Sequence, residues 1–197
     1  KDASGANRLA AGDKYLDKGT LFAARFKSDG SGQWLELSMN NPVLAGSSYF
    51  EFKSNADMAI FTRLAADAVG ATKMDRPEWC GVHPTTGEIY FALTNNSNRR
   101  LVPSSSSQSA PDAANPRVYT DITGLATTQQ GNVNGHILRI KEGTGHAAAL
   151  GFTWDVYLFG AEAGASAGFV NLSSLTGDQD FSSPDGMWFS QAASGLV

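Results

Sequence analysis

The chain has 197 residues, 42% hydrophobic and 17% charged, enough for one core and unlike a disordered tail or a coiled coil. Fifteen Lys and Arg against 19 Asp and Glu leave a net charge of −4, which excludes the basic footprint of a nucleic-acid binder and a polybasic membrane patch. No apolar run approaches the ~20 residues of a membrane span, and with Cys80 the one cysteine no internal disulfide forms, which suits the cytosol and equally an exported protein without bridges.

The chain begins at Lys1 with no apolar signal segment, and Ser194 to Val197 reads as a turn followed by the first residues of a strand. These ends lead us to expect part of a longer chain. Leu21 to Lys27 reads as a strand, Ser28-Asp29-Gly30-Ser31-Gly32 as a turn, and Gln33 to Leu37 as the returning strand of a β-hairpin. From Asn55 to Val69 the apolar residues fall at 58, 61, 64, 65 and 68, the spacing of an amphipathic helix. Ser54 or Asn55 can cap its start, and Gly70 stands where a C′ glycine belongs. The stripe is one face wide, so this helix is expected to pack on the outside of a β assembly.

After the helix the β rhythm resumes. Thr85 to Glu88 turns into Ile89 to Leu93, and the polar stretch Ser97 to Asn115 is expected to be a surface loop. Strands follow at His136 to Ile140 and Thr153 to Phe159, and Met187-Trp188-Phe189 opens another. Many short strands between turn signals suggest a sandwich or a propeller. An internal echo favours the propeller. Pro77-Glu78-Trp79 leads to Gly87 and a strand, and Pro184-Asp185-Gly186-Met187-Trp188-Phe189 leads to Gly195 and Leu-Val. Blades run about 40–50 residues, so this length holds about four and leaves the ring open. The expected fold is mainly β, with residues 1–197 forming a single incomplete β-propeller segment that carries one amphipathic helix and long loop insertions.

Glu78, Asn95, Asn96, Asn134 and Asp185 all fall on predicted loops at strand ends. Carboxylates mixed with amide oxygens suit a hard cation such as Ca²⁺. Singly, each also reads as a turn residue or a solvated acid. A proline and an aromatic flanking the acid, twice over, would hold each carboxylate still. Arg76 lies two residues before Glu78, and along extended backbone such side chains point the same way. The pair could present a guanidinium and a metal-bound carboxylate to one phosphate, or could simply form a salt bridge within the loop. His136 opens a strand just after Asn134-Gly135 and is a further site candidate. His83 and His146 read as loop histidines and Cys80 as a small buried filler. No nucleophile elbow, Walker loop or dinucleotide fingerprint occurs.

The run Met74-Asp75-Arg76-Pro77-Glu78-Trp79, then Pro84, Thr86-Gly87 and Ile89-Tyr90, then Leu93-Thr94-Asn95-Asn96, resembles the PhoX-type alkaline phosphatases. Further matching stretches are Asp29 to Leu35, Thr62-Arg63 with Ala65-Ala66-Asp67, Asn115-Pro116-Arg117, Gly135-His136-Ile137 with Arg139, and Ser183-Pro184-Asp185-Gly186 with Trp188-Phe189. Gln108 to Ala114 and Asp121 to Gly131 read as insertions. The resemblance implies a β-propeller phosphomonoesterase, exported to the periplasm or cell exterior, with calcium and iron (Ca²⁺ and Fe³⁺) in its channel and a small phosphorylated substrate. It implies that Arg76 is catalytic and that Glu78 and Asp185 bind metal, while the family's iron-ligating cysteine and other acidic ligands fall on blades absent here. Alone, this segment is then expected to be inactive. Two other readings stand beside it: a calcium-dependent, lactonase-like propeller hydrolase and a non-catalytic calcium-stabilised surface module. Arg76 separates the first of these, since an uncharged lactone needs no fixed guanidinium.

Overall fold

The computed structural model describes residues 19–121, 128–145, 148–190 and 195–196. It is mainly β and divides into two compact units, Lys1–Arg25 with Trp34–Ala71, and Phe26–Gln33 with Thr72–Val197.

The hairpin forms as its sequence dictates, with β1 at Leu21–Phe26 and β2 at Ser31–Leu37. Asp29 accepts from the backbone N–H and hydroxyl of Ser31, and Gly30 takes φ +80. In the first unit, α1 (Pro42–Ala45) is a single turn that the apolar spacing does not announce. Asn41 caps it and Pro42 sets its first φ.

The expected helix from Asn55 to Val69 is two helices, α2 (Asn55–Ile60) and α3 (Thr62–Ala68). Its ends are where the sequence puts them. Ser54 and Asp57 form a reciprocal capping box. Gly70, at φ +72, closes a Schellman motif in which Gly70 N–H donates to Asp67 and Ala71 N–H to Ala66. The break falls at Phe61 (φ −103, ψ 41), where the Thr62 hydroxyl donates back to the carbonyls of Met58 and Ala59. Ile60, Phe61 and Thr62 are three weak helix formers in a row, and a threonine bonding to the preceding turn bends a helix. Phe61 therefore leaves the buried stripe and stacks on Phe50, while Met58, Ala65 and Val69 join Leu37, Leu44 and Phe52 in this unit's core.

The second unit is built on an antiparallel sheet in the order β2, β8 (Gly151–Phe159), β7 (His136–Glu142), β4 (Ile89–Leu93), β3 (Pro77–Val82). Residues 31–33 of β2 pair with Thr153 to Gly151 of β8. Both faces of the sheet are covered, and the period of two decides which residue goes where. Phe91 and Leu93 pack with Leu138, Ala114 and Trp154 on one face, while Tyr90 and Ala92 pack with Ile137 and Met187 on the other. Strand β3 is the sheet's edge, and Cys80 lies exposed on it. It is not the buried filler expected, because only Gly81 in this strand is covered.

The stretch Ser97 to Asn115 is not simply a surface loop, since Arg99, Ala114 and Asn115 are buried. The segment read as an insertion from Asp121 to Gly131 contributes to a two-stranded ladder, β5 (Tyr119–Asp121) with β6 (Gln129–Gly131), while 122–127 lie outside the described residues. Met187 to Phe189 leads into β9 (Phe189–Ser190), which pairs with β10 (Gly195–Leu196). His83 is a loop histidine whose Nδ1 accepts from the backbone N–H groups of Thr85 and Thr86. His146 lies outside the described residues.

Two glycines test this architecture. A Cβ at Gly135 (φ +66) would stand 2.1 Å from the Thr94 carbonyl oxygen, whereas one at Gly87 (φ +72) meets nothing within 4 Å. Gly87→Ala is expected to cost the left-handed strain alone, about 1–2 kcal/mol. Gly135→Ala adds overpacking against backbone that cannot move aside, for roughly 3–4 kcal/mol in all. Urea unfolding of the two variants measures the difference.

Candidate functional site

The ladder register aligns Pro77 with Leu93, Leu93 with His136, and His136 with Phe159. One end of the sheet is therefore where 75–76 enters β3, where 94–96 leaves β4, where 132–135 enters β7 and where Gly160 leaves β8. The segment 181–185 is tied to the same end. Ala161 bridges to Phe181, and the Ser183 N–H donates to the Asn134 carbonyl at 2.9 Å.

On the exposed side, the Arg76 guanidinium donates through Nη1 to Asn95 Oδ1 at 2.9 Å and through Nη2 to Glu78 Oε1 at 3.3 Å. The salt bridge that the sequence allowed within this segment is present. The Arg76 side chain is 58% exposed and that of Glu78 39%. Asn95 Nδ2 donates to Ser183 Oγ at 3.1 Å, and the Thr94 hydroxyl lies 3.0 Å from both Asp185 Oδ1 and the Pro184 carbonyl oxygen. Arg76, Glu78, Asn95 and Asp185 therefore belong to one locality, although Glu78 and Asp185 are 107 residues apart.

The backbone reason differs from the expected one. Arg76 is not extended: its φ is +53, a left-handed conformation in a residue with a Cβ. Glu78 sits within β3, not on a loop, at an irregularity between Pro77 and Trp79 where it has no partner across the ladder. A left-handed residue followed by a bulge brings the two side chains together where simple alternation was expected to do so.

The other candidates turn inward. Asn96 Nδ2 donates to Asp75 Oδ1 at 2.7 Å. Asn134 is buried; its Oδ1 accepts from the Ser182 hydroxyl and its N–H donates to Tyr119 Oη. His136 is fully buried on the same strand face as Leu138, with Nδ1 2.9 Å from Asn132 Nδ2 and Nε2 2.7 Å from the Ala114 carbonyl oxygen. The geometry fits a neutral ring that accepts at Nδ1 and donates at Nε2, so it does not face the exposed group.

These inward residues belong to a network organised by Asp75, which is fully buried. Its Oδ1 accepts from Arg99 Nε at 2.9 Å, from Arg99 Nη2 at 2.8 Å and from Asn96, and its Oδ2 accepts from Asn132 at 3.0 Å. That fills the roughly four acceptor positions of a carboxylate. Arg99, 1% exposed, also donates to the Lys73 and Ala110 carbonyls. Arg117 clamps the next layer. It donates to the carbonyls of Gly135, Gly160 and Val170 and to Asn132 Oδ1, and its guanidinium carbon lies 4.8 Å from the Phe159 ring centroid. The sequence reading passed over Asp75, Arg99, Asn132, Thr94 and Ser183 as individuals. Asp75, Thr94 and Ser183 stand inside the quoted motif runs, and that adjacency was the available signal.

Among the described residues no group of three or more His, Cys, Asp or Glu is arranged to hold a metal ion. The donors present at the exposed group are all oxygens. Glu78 Oε2 and Asp185 Oδ2 bear no hydrogen bond from the described residues, and two free carboxylate oxygens suit part of the shell of a hard cation.

Comparison with known families matches alkaline phosphatase PhoX over residues 1–197. Among solved structures, Pseudomonas fluorescens PhoX in complex with vanadate, a transition state analogue, is similar at 34% identity and a TM-score of 0.73, over 95% of this chain. The chain spans 31% of the length of that protein. No curated protein matches. The likeness supports the expected class, mainly β and propeller-like with few helices.

Two outcomes are expected from the buried layer. Asp75→Ala leaves the buried Arg99 guanidinium with only the partly exposed Asp112 carboxylate, 3.5 Å from Nη1, which costs about 3 kcal/mol; Asp75→Asn, which keeps an acceptor, costs less, as urea unfolding will show. Burial holds the His136 imidazole down at about 4. Between the ordinary His value near 6.5 and 4, the unfolded chain binds a proton that the folded one refuses. Stability is therefore full above 6.5 and falls by roughly 3 kcal/mol as pH drops to about 4. His136→Gln should flatten that slope in unfolding curves taken across this range.

Proposed function

The chain belongs to the PhoX family of alkaline phosphatases, and on that premise we propose that the protein carrying it hydrolyses small phosphomonoesters outside the cytoplasm, in the periplasm or the extracellular space. The observation that carries the reading is Arg76. A half-exposed guanidinium is fixed between Asn95 and Glu78 on a left-handed residue, and that residue is anchored by the buried carboxylate beside it.

Each terminal nitrogen of Arg76 spends one hydrogen on the protein and keeps another, so the fork retains N–H groups for two phosphoryl oxygens. Held in place before substrate arrives, it neutralises charge that builds on those oxygens without reorganising. A left-handed residue with a Cβ costs on the order of 1–3 kcal/mol, and such strain clusters at functional sites. Here Asp75 supplies the restraint. The family is metal-dependent, and Ca²⁺ and Fe³⁺ are the ions proposed. Glu78 and Asp185 would hold part of that set through their free oxygens, with the remaining ligands coming from outside these residues. When bound, such cations draw electron density from phosphoryl oxygens. Asn95 positions Arg76, and Thr94 orients Asp185 by its hydroxyl. Asn96, Asn134 and His136 serve the scaffold in this reading.

In the full-length enzyme, Arg76→Ala is expected to lower turnover of 4-nitrophenyl phosphate by roughly 10²–10³ while metal content stays close to wild type. Arg76→Lys should recover little, because a point charge does not reproduce a bidentate fork. Glu78→Ala should lose both activity and bound metal. Steady-state assays with metal quantified on the same preparations decide the matter, and near-normal turnover for Arg76→Ala would overturn the phosphate-binding role.

A further inference from the structure

Asn95 has a second environment. Besides holding Arg76, it lines a cleft of about 370 Å³. That volume lies within the range of small-molecule sites. The cleft is walled by Ser97, Gln129, Gln130 and Asn132, and Arg100 is its one charged lining residue among those described. Asn132 is immobilised by Asp75 and Arg117, and the two glutamines lie on β6, held by the ladder with β5. Among the described residues this is a polar recess with amide and hydroxyl walls, and Val133 is its one apolar lining residue.

Arg100 is half-buried at its side. Its Nη1 donates to the Ser97 carbonyl and, at 2.9 Å, to the Arg99 carbonyl. Those two bonds fix the guanidinium by one corner. Nε–H and the Nη2 hydrogens have no hydrogen-bond partner among the described residues, so the bidentate edge of the fork is unspent. Nothing in the phosphoryl-binding role of Arg76 uses it. Asn95 touches Arg76 on one side and lines the cleft on the other, so the cleft opens next to the phosphoryl position proposed at Arg76.

We propose that the cleft is the leaving-group subsite and that Arg100 is a specificity-determining residue, favouring phosphomonoesters whose leaving group carries a second anion, a carboxylate or a further phosphate. The proposal rests on the phosphatase reading of Arg76. A carboxylate or phosphate on the leaving group satisfies the unspent edge of Arg100 with charge-assisted bonds, while the amides of Gln129 and Gln130 serve neighbouring hydroxyls. Among the described lining residues a neutral aryl group meets one apolar side chain, Val133, and it offers the guanidinium no charged partner.

The test uses the full-length enzyme with two substrates, phosphoglycolate and 4-nitrophenyl phosphate, and reads the ratio of their kcat/KM values. Arg100→Gln is expected to lower that ratio by roughly tenfold, the scale of losing one charged hydrogen bond, and Arg100→Lys to give an intermediate ratio. In the wild type, raising ionic strength should depress the phosphoglycolate value more than the aryl value, a readout that needs no variant. A ratio preserved within twofold in Arg100→Gln, even where both values fall together, overturns the subsite; so does a ratio indifferent to salt. A wild-type enzyme that turns over neither substrate defeats the phosphatase reading itself, and the subsite falls with it.

Discussion

The site end of the sheet depends on one buried carboxylate. Asp75 collects a guanidinium and two amides on its two oxygens, and those donors arrive from two separate stretches of chain, 96–99 and Asn132, four residues before β7. Burying an unpartnered charge is prohibitively costly, so each donor is obliged to be where it is. The backbone bond from Thr94 N–H to the Arg76 carbonyl, 3.1 Å, carries the β3–β4 ladder one step further, and the carboxylate adds a side-chain tie from 75 to 96 beside it. Because Arg76 follows Asp75 and Asn95 precedes Asn96, the same bonds fix the two side chains that meet on the exposed side.

That layering explains which parts of the molecule were legible in the sequence. The apolar runs Ile89 to Leu93 and His136 to Ile140, set off by turn residues, announced strands correctly, because these central strands bury side chains on both faces. Ser54 and Gly70 marked real helix ends because capping is a local matter. The interruption at Phe61 was missed because the spacing of apolar residues is blind to a threonine hydroxyl competing for the backbone. Cys80 was misjudged for a different reason: whether a strand is an edge is a property of the sheet, not of the strand.

The site was half legible. Arg76, Glu78, Asn95 and Asp185 stood out by residue type and lie together, whereas Asn96, Asn134 and His136 carry the same chemistry and are spent on the interior. Residue type cannot separate an amide that faces solvent from one that satisfies a buried acid. Nor could composition show that Arg99, in a serine-rich polar stretch, is buried while Arg100 next to it lines a cleft. The deciding fact is long-range, the location of Asp75, 24 residues earlier in the chain.

The strict in-and-out alternation of neighbours has an evolutionary corollary. Asp75 with Arg76, Asn95 with Asn96 and Arg99 with Arg100 each pair a structural residue with one that faces outward. Substitutions on the outward member change what the surface presents without touching the support, so such positions can drift or be selected separately. Adding or deleting a single residue in any of these segments does the opposite. It exchanges the two roles, exposing the residue that neutralises the interior and burying the one meant for solvent. Lineages carrying this arrangement should therefore keep Asp75, Asn96 and Arg99, vary by replacement at the outward positions that catalysis does not hold, and confine changes of length to the stretches between the pairs.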